Sequence, residues 1–233
     1  MGQPTKKAIE KLKLEKRSAK AAKKRKENTR SKIVRFLIVC EGEETEPNYF
    51  RALIKDKYSA VREVEIKGKG MSTCSLVRQA LQTKGQLEKD RGLAFDCVWV
   101  VFDKDDFRDF NDAILLAHQK ALKCAWSNEA FELWYYLHFQ FLSSGINRYD
   151  YIEKIQNEIR KHPNFKNFEY KKNDPNFYNI LKSLGNESLA KQYASKLRQQ
   201  FIGNSDFKNQ KPCTTVDLLV EELENPEKLL IKQ

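Results

Sequence analysis

Cysteine, glycine and proline are all scarce in this chain of 233 residues, which has five, nine and six of them. The cysteines are Cys40, Cys74, Cys97, Cys124 and Cys213; the number is odd and no two form a C-x-x-C pair. That spacing suits neither a zinc knuckle nor a disulfide framework. They are expected to be small buried hydrophobes in a reducing cytoplasm. No apolar run approaches the ~18 residues of a membrane span. The N-terminus is Lys-rich without an apolar stretch, so neither a secretory signal nor a membrane partner is expected. There is no Rossmann glycine triplet, no P-loop and no nucleophile elbow. What is present is 40% hydrophobic and 11% aromatic, enough for a sizeable core. Collagen-like, low-complexity and fully disordered chains are thereby excluded. The length suits one domain of ~150–200 residues with an appendage.

Charge is unevenly placed. The net charge is +11, and residues 1–32 hold thirteen Lys and Arg against three Glu, so this arm carries nearly all of the excess. It has helix-forming composition but few apolar side chains, such as Ile9, Leu12 and Leu14. Alone it is expected to be frayed or disordered, and to be ordered by a polyphosphate partner. Lys23, Lys24, Arg25, Lys26 and Arg30 are candidate nucleic-acid contacts, against the plainer reading of a solubilising tail.

Residues 33–40 are β-branched and almost continuously apolar, as in a central strand covered on both faces. Pro47 suits a first helical turn, with Tyr49, Phe50, Leu53 and Ile54 at helical spacing. Residues 61–66 alternate as a second strand, and Ser72 or Thr73 caps the next helix. Residues 95–102 form a third strand, followed by a helix with Phe110, Ile114 and Ala117. A short strand is predicted over 122–125, then a helix over 129–141 capped by Ser127 or Asn128. The order β-α-β-α-β-α-β-α predicts an α/β domain over 33–145 with a parallel sheet flanked by helices. Residues 146–233 read as a helical C-terminal region, with Thr215 starting its last helix.

Two acidic turns follow the two most apolar strands. Glu41, Glu43, Glu44 and Glu46 follow the first, and Asp103, Asp105 and Asp106 the third. Parallel strands place both turns on the carboxyl edge, where ligands of open α/β sheets bind. Strands lie ~4.8 Å apart, so carboxylates on neighbours can share a cation. Such a set repels itself unless a divalent ion neutralises it, and Mg²⁺ prefers oxygen ligands. The plainer alternative is that Asp105 or Asp106 caps the next helix.

These turns carry a resemblance. Val39-Cys40-Glu41-Gly42 followed by Asp103-x-Asp105 is similar to the Toprim pattern. The longer blocks at residues 38–50 (Ile-Val-Cys-Glu-Gly-Glu-Glu-Thr-Glu-Pro-Asn-Tyr-Phe), 100–107 and 127–139 resemble the RloB-like family. The resemblance implies a Toprim-like domain and a Mg²⁺-dependent nuclease, with Mn²⁺ as a substitute ion. It implies Glu41 as acid/base or metal ligand, with Asp103 and Asp105 on Mg²⁺. Glu46 is a candidate second-site ligand. The substrate would be RNA (tRNA included) or DNA. The setting would be abortive infection against phage, beside an SMC-like or ABC-like ATPase encoded nearby. The rival is a non-catalytic subunit that binds nucleic acid or the ATPase. Self-association into a homo-oligomer stays open.

Glu132 sits on an otherwise apolar helix, where it either completes the metal site or pairs with Arg or Lys. Lys69, in a Gly-Lys-Gly loop, is a candidate phosphate contact. His138 reads as a hydrogen-bonded core histidine. Trp126, Trp134, Tyr135 and Tyr136 could stack on bases but read more simply as core.

Overall fold

The computed structural model describes residues 13–18, 33–57, 62–68, 73–104, 106 and 108–231. Asp105, Lys69 and the arm residues Lys23, Lys24, Arg25, Lys26 and Arg30 lie outside the described residues. Two compact units are present, Met1–Ile33 and Val34–Gln233. In the first, residues 13–18 are helical.

In the second unit, four strands form one all-parallel sheet in the order β2-β1-β3-β4. They are β1 (Val34–Cys40), β2 (Arg62–Gly68), β3 (Cys97–Asp103) and β4 (Lys123–Ser127). The helices between them are α1 (Thr45–Lys57), α2 (Thr73–Arg91) and α3 (Phe110–Gln119). After β4 come α4 (Glu132–Leu137), α5 (Arg148–Arg160), α6 (Phe177–Leu184), α7 (Glu187–Gln199), α8 (Val216–Glu224) and α9 (Glu227–Ile231). The chain is thus an α/β protein with a helical C-terminal region.

Both faces of the sheet are apolar because β1 and β3 carry apolar side chains at alternating positions on either side, Arg35 and the terminal Asp103 excepted. Leu37, Val39, Val98, Val100 and Phe102 face α2 and α3. Phe36, Ile38, Cys40, Trp99 and Val101 face the other way and join one core with α1, α4 and the later helices. The C-terminal helices therefore share the core of the sheet. Edge strand β4 is covered by residues 213–215: Asn128 N–H donates to the Cys213 carbonyl and Thr215 N–H to that of Trp126.

Several local expectations need correction. The helix predicted over 129–141 is only Glu132–Leu137. Glu129 has φ 84°, a left-handed conformation that no helix accommodates, so the chain turns first. Neither Ser127 nor Asn128 caps it. Ser127 ends β4 with its hydroxyl on Thr214 (2.9 Å), and the Asn128 amide donates to the carbonyls of Phe207 and Lys208. Asp106 does not cap α3; Asp109 stands at that position, without a side-chain cap bond. The Asp109 carboxylate instead accepts from the Thr73 hydroxyl and from Cys74 N–H (3.1 Å), closing the first turn of α2. Thr215 does begin α8, but that helix is not the last, since α9 follows it. All five cysteines are free, and four are buried. No helix among the described residues is long and apolar enough to cross a membrane.

Candidate functional site

Register sets the site. Ile38 pairs with Trp99 and Cys40 with Val101, so Glu41 leaves β1 beside the last residues of β3. Glu41 N–H donates to the Val101 carbonyl (2.8 Å), and Glu41 Oε2 accepts from Asp103 N–H (3.2 Å). The two predicted acidic turns therefore do meet at the carboxyl edge, with Glu41 holding the backbone of Asp103.

Glu46 and Glu132 converge on the same pocket. Glu46 is in the first turn of α1, 5% exposed, and Glu132 opens α4, 1% exposed. Asp103 is 8% exposed. Gly42 gives Glu46 its room, because a Cβ there would collide with Glu46 Oε2. Among the described residues, Glu132 pairs with no Arg or Lys. Its Oε1 accepts from the Tyr170 hydroxyl at 3.0 Å.

The charges in this pocket oppose one another. Burial raises the Asp103 carboxyl well above its ordinary range, and the nearby Glu46 and Glu132 charges push it further. The Arg148 guanidinium, 3.7 Å away, and the Phe131 amide pull the other way. Burial likewise raises Glu46, with Glu132 adding to the effect. Its own N–H, Lys172 and the Gly42 N–H favour its charged form. Asp103 Oδ1 and Glu46 Oε2 are buried and make no hydrogen bond among the described residues. An orphaned buried carboxylate oxygen is costly unless protonated or bound by a cation.

Among the described residues, no three Asp, Glu, His or Cys groups close around a point that could hold an ion. The oxygens available are nonetheless hard donors of the kind Mg²⁺ takes. Glu43 and Glu44 are exposed, unlike this buried set. His138 is buried, with Nδ1–H donating to the Trp134 carbonyl (2.9 Å), and Trp126, Trp134, Tyr135 and Tyr136 are all core. These rings do not present a stacking surface to bases.

Tyr170, Lys172 and Arg148 were not predicted as site residues. They arrive from the helical region: Tyr170 and Lys172 from the segment before α6, Arg148 as the first residue of α5. Thr45 Oγ1 donates to the Lys172 carbonyl (2.8 Å), which fastens that segment to the start of α1. The only trace in sequence is the run Tyr170-Lys171-Lys172 just before Asn173-Asp174-Pro175, and no spacing rule ties it to a strand 70 residues earlier.

No curated protein and no solved structure matches this chain. A family model does, over residues 36–223, which include both strand ends, Glu46, Glu132, Arg148 and Tyr170. The chain belongs to the RloB-like protein family.

Proposed function

We propose that the chain is a divalent-ion-dependent nuclease of Toprim type, hydrolysing phosphodiesters of RNA or DNA. The observation that carries this reading is the buried convergence of Glu46, Asp103 and Glu132 beside Glu41, with one oxygen each of Asp103 and Glu46 left without a partner among the described residues. Asp103, Glu46 and Asp105 would hold Mg²⁺, or Mn²⁺ in its place, with Glu132 and Glu41 at the margin. When bound, such an ion neutralises developing charge on a scissile phosphate and makes a water acidic enough to attack. Glu41 accepts from the Asp103 N–H, and in this reading its carboxylate would take a proton. Arg148 offsets part of the carboxylate charge beside Asp103. Family membership supports the wider setting: an effector of abortive infection against phage, working with a neighbouring ATPase.

The test is cleavage of end-labelled RNA and DNA by purified chain with Mg²⁺ or Mn²⁺, with and without that ATPase. Wild type should cut, and Asp103→Asn and Glu41→Gln should not. Absence of cutting by wild type under every condition ends the enzyme reading.

One observation favours a second reading, a non-catalytic binding subunit of the same system. The Tyr170 hydroxyl already occupies Glu132, so that carboxylate is satisfied as it stands. Divalent-ion stabilisation separates the two. A genuine site stabilises the fold by mass action, by about 2.7 kcal/mol at a hundredfold excess over Kd, and so raises the melting temperature. Asp103→Asn should remove that gain; a binding subunit shows no gain to remove.

A further inference from the structure

A groove of about 580 Å³ runs between α1 and α6, outside the acidic pocket. Its walls are Asn48, Arg51, Ala52, Lys55 and Asp56 from α1, with Pro175 and Asn179 opposite. The α1 residues fall at i, i+3, i+4, i+7 and i+8, so they form one face of the helix. Arg51 and Lys55 are exposed and make no hydrogen bond or ion pair with any described residue. Asp56 does not cancel them, because it is held by Lys182 and by the Tyr178 hydroxyl (2.9 Å). Among the described residues, the groove is therefore lined by two cations outside any ion pair, two amides and the paired Asp56, with no aromatic ring. That chemistry suits phosphates and sugar edges rather than stacked bases.

Its position matters as much as its charge. From Lys55 to Asn48 the groove covers about 10 Å of helix, at ~1.5 Å per residue. It ends where the Asn48 amide meets the Asn173 carbonyl (3.5 Å), next to Thr45 and Glu46. Lys172 and Arg148 continue the positive charge around the rim of the acidic pocket. We infer that this groove binds the phosphodiester backbone of a nucleic-acid strand, with Arg51 and Lys55 on successive phosphates. That the strand then leads to Glu46 and Asp103 rests on the nuclease reading; the binding itself does not.

The experiment is fluorescence anisotropy of labelled single-stranded RNA and DNA with the full chain in EDTA, at salt from 50 to 200 mM. The variants are Arg51→Gln/Lys55→Gln and, for equal charge loss on the opposite face of the sheet, Lys89→Gln/Lys120→Gln. Single strands lose about 0.7 in log–log salt slope per phosphate contact removed. The groove pair should therefore flatten the slope by about 1.4. Wild type would then lose about sevenfold more affinity than that variant across the salt range. The distant pair should leave the slope unchanged. Equal flattening by both pairs, flattening by neither, or no binding by wild type overturns the inference. EDTA separates the two readings. Flattening in a chain that never cleaves keeps the groove and removes the nuclease. Cleavage with unflattened slopes does the reverse. Melting curves of both variants confirm folding, which these exposed, unpaired positions should not disturb.

Discussion

The Tyr170 hydroxyl donates to Glu132 Oε1 at 3.0 Å, joining a segment of the C-terminal region to the helix that follows β4. Its ring also stands edge-on to Phe177, 5.0 Å away. Burial, then the Glu132 charge, raises the Tyr170 phenol, so it remains a donor throughout the working pH range. Removing that donor leaves a buried carboxylate oxygen bare. Tyr170→Phe is expected to cost about 1–3 kcal/mol at pH 7. Urea unfolding of the variant checks this, and a midpoint equal to wild type would refute it.

The raised Asp103 and Glu46 carboxyls make stability depend on pH in a definite direction. A folded-state pKa above the unfolded value means that the folded chain binds the extra protons. Stability from these groups is full below the ordinary carboxylate range and is lost as pH rises through their raised values. In EDTA, Asp103→Asn should therefore melt higher than wild type at pH 7 and show a shallower decline with pH. Thermal melts from pH 4 to 8 would show it; a variant less stable at pH 7 than at pH 4 relative to wild type would contradict the account.

His138 works in the opposite sense. Burial is the main cause that lowers it from 6.5 to about 4, with Lys57 and Lys191 adding their charge. The unfolded chain takes the proton first, so stability is lost as pH falls from about 6.5 toward about 4. At ~1.36 kcal/mol per pH unit this amounts to about 3 kcal/mol. His138→Gln should flatten the acid limb of the same melts, whatever it does to stability at pH 7.

Arg198 and Asp217 form a two-point ion pair across α7 and α8, with Arg198 Nη2 to Asp217 Oδ2 at 2.8 Å. Arg198 also donates to the Thr214 carbonyl (3.0 Å) in the segment that covers β4. Asp217 is buried. Arg198→Ala strands that charge and should cost about 3–5 kcal/mol. Arg198→Ala/Asp217→Asn should recover part of the loss. Equal stability of the single variant and wild type would show that the pair contributes nothing.

Periodicity and apolar runs determined the parallel α/β core. The runs at 33–40 and 95–102 have nowhere to sit except in a sheet covered on both faces, and their acidic ends then share one edge. Glu41 and Asp103 were legible for that reason, since strand ends are local features and parallel pairing is nearly obligatory. Helix boundaries were less so: the left-handed Glu129 delays α4, and Asp109 closes the helix before its own. The company that Asp103 keeps was decided by packing alone. Glu46 and Glu132 were legible as candidates, but that both surround Asp103 follows only from α1 and α4 docking on the same face of the sheet. Tyr170, Lys172 and Arg148 reach the site across long loops. A buried charge takes its meaning from whichever groups surround it in space, and no spacing along the chain encodes those neighbours.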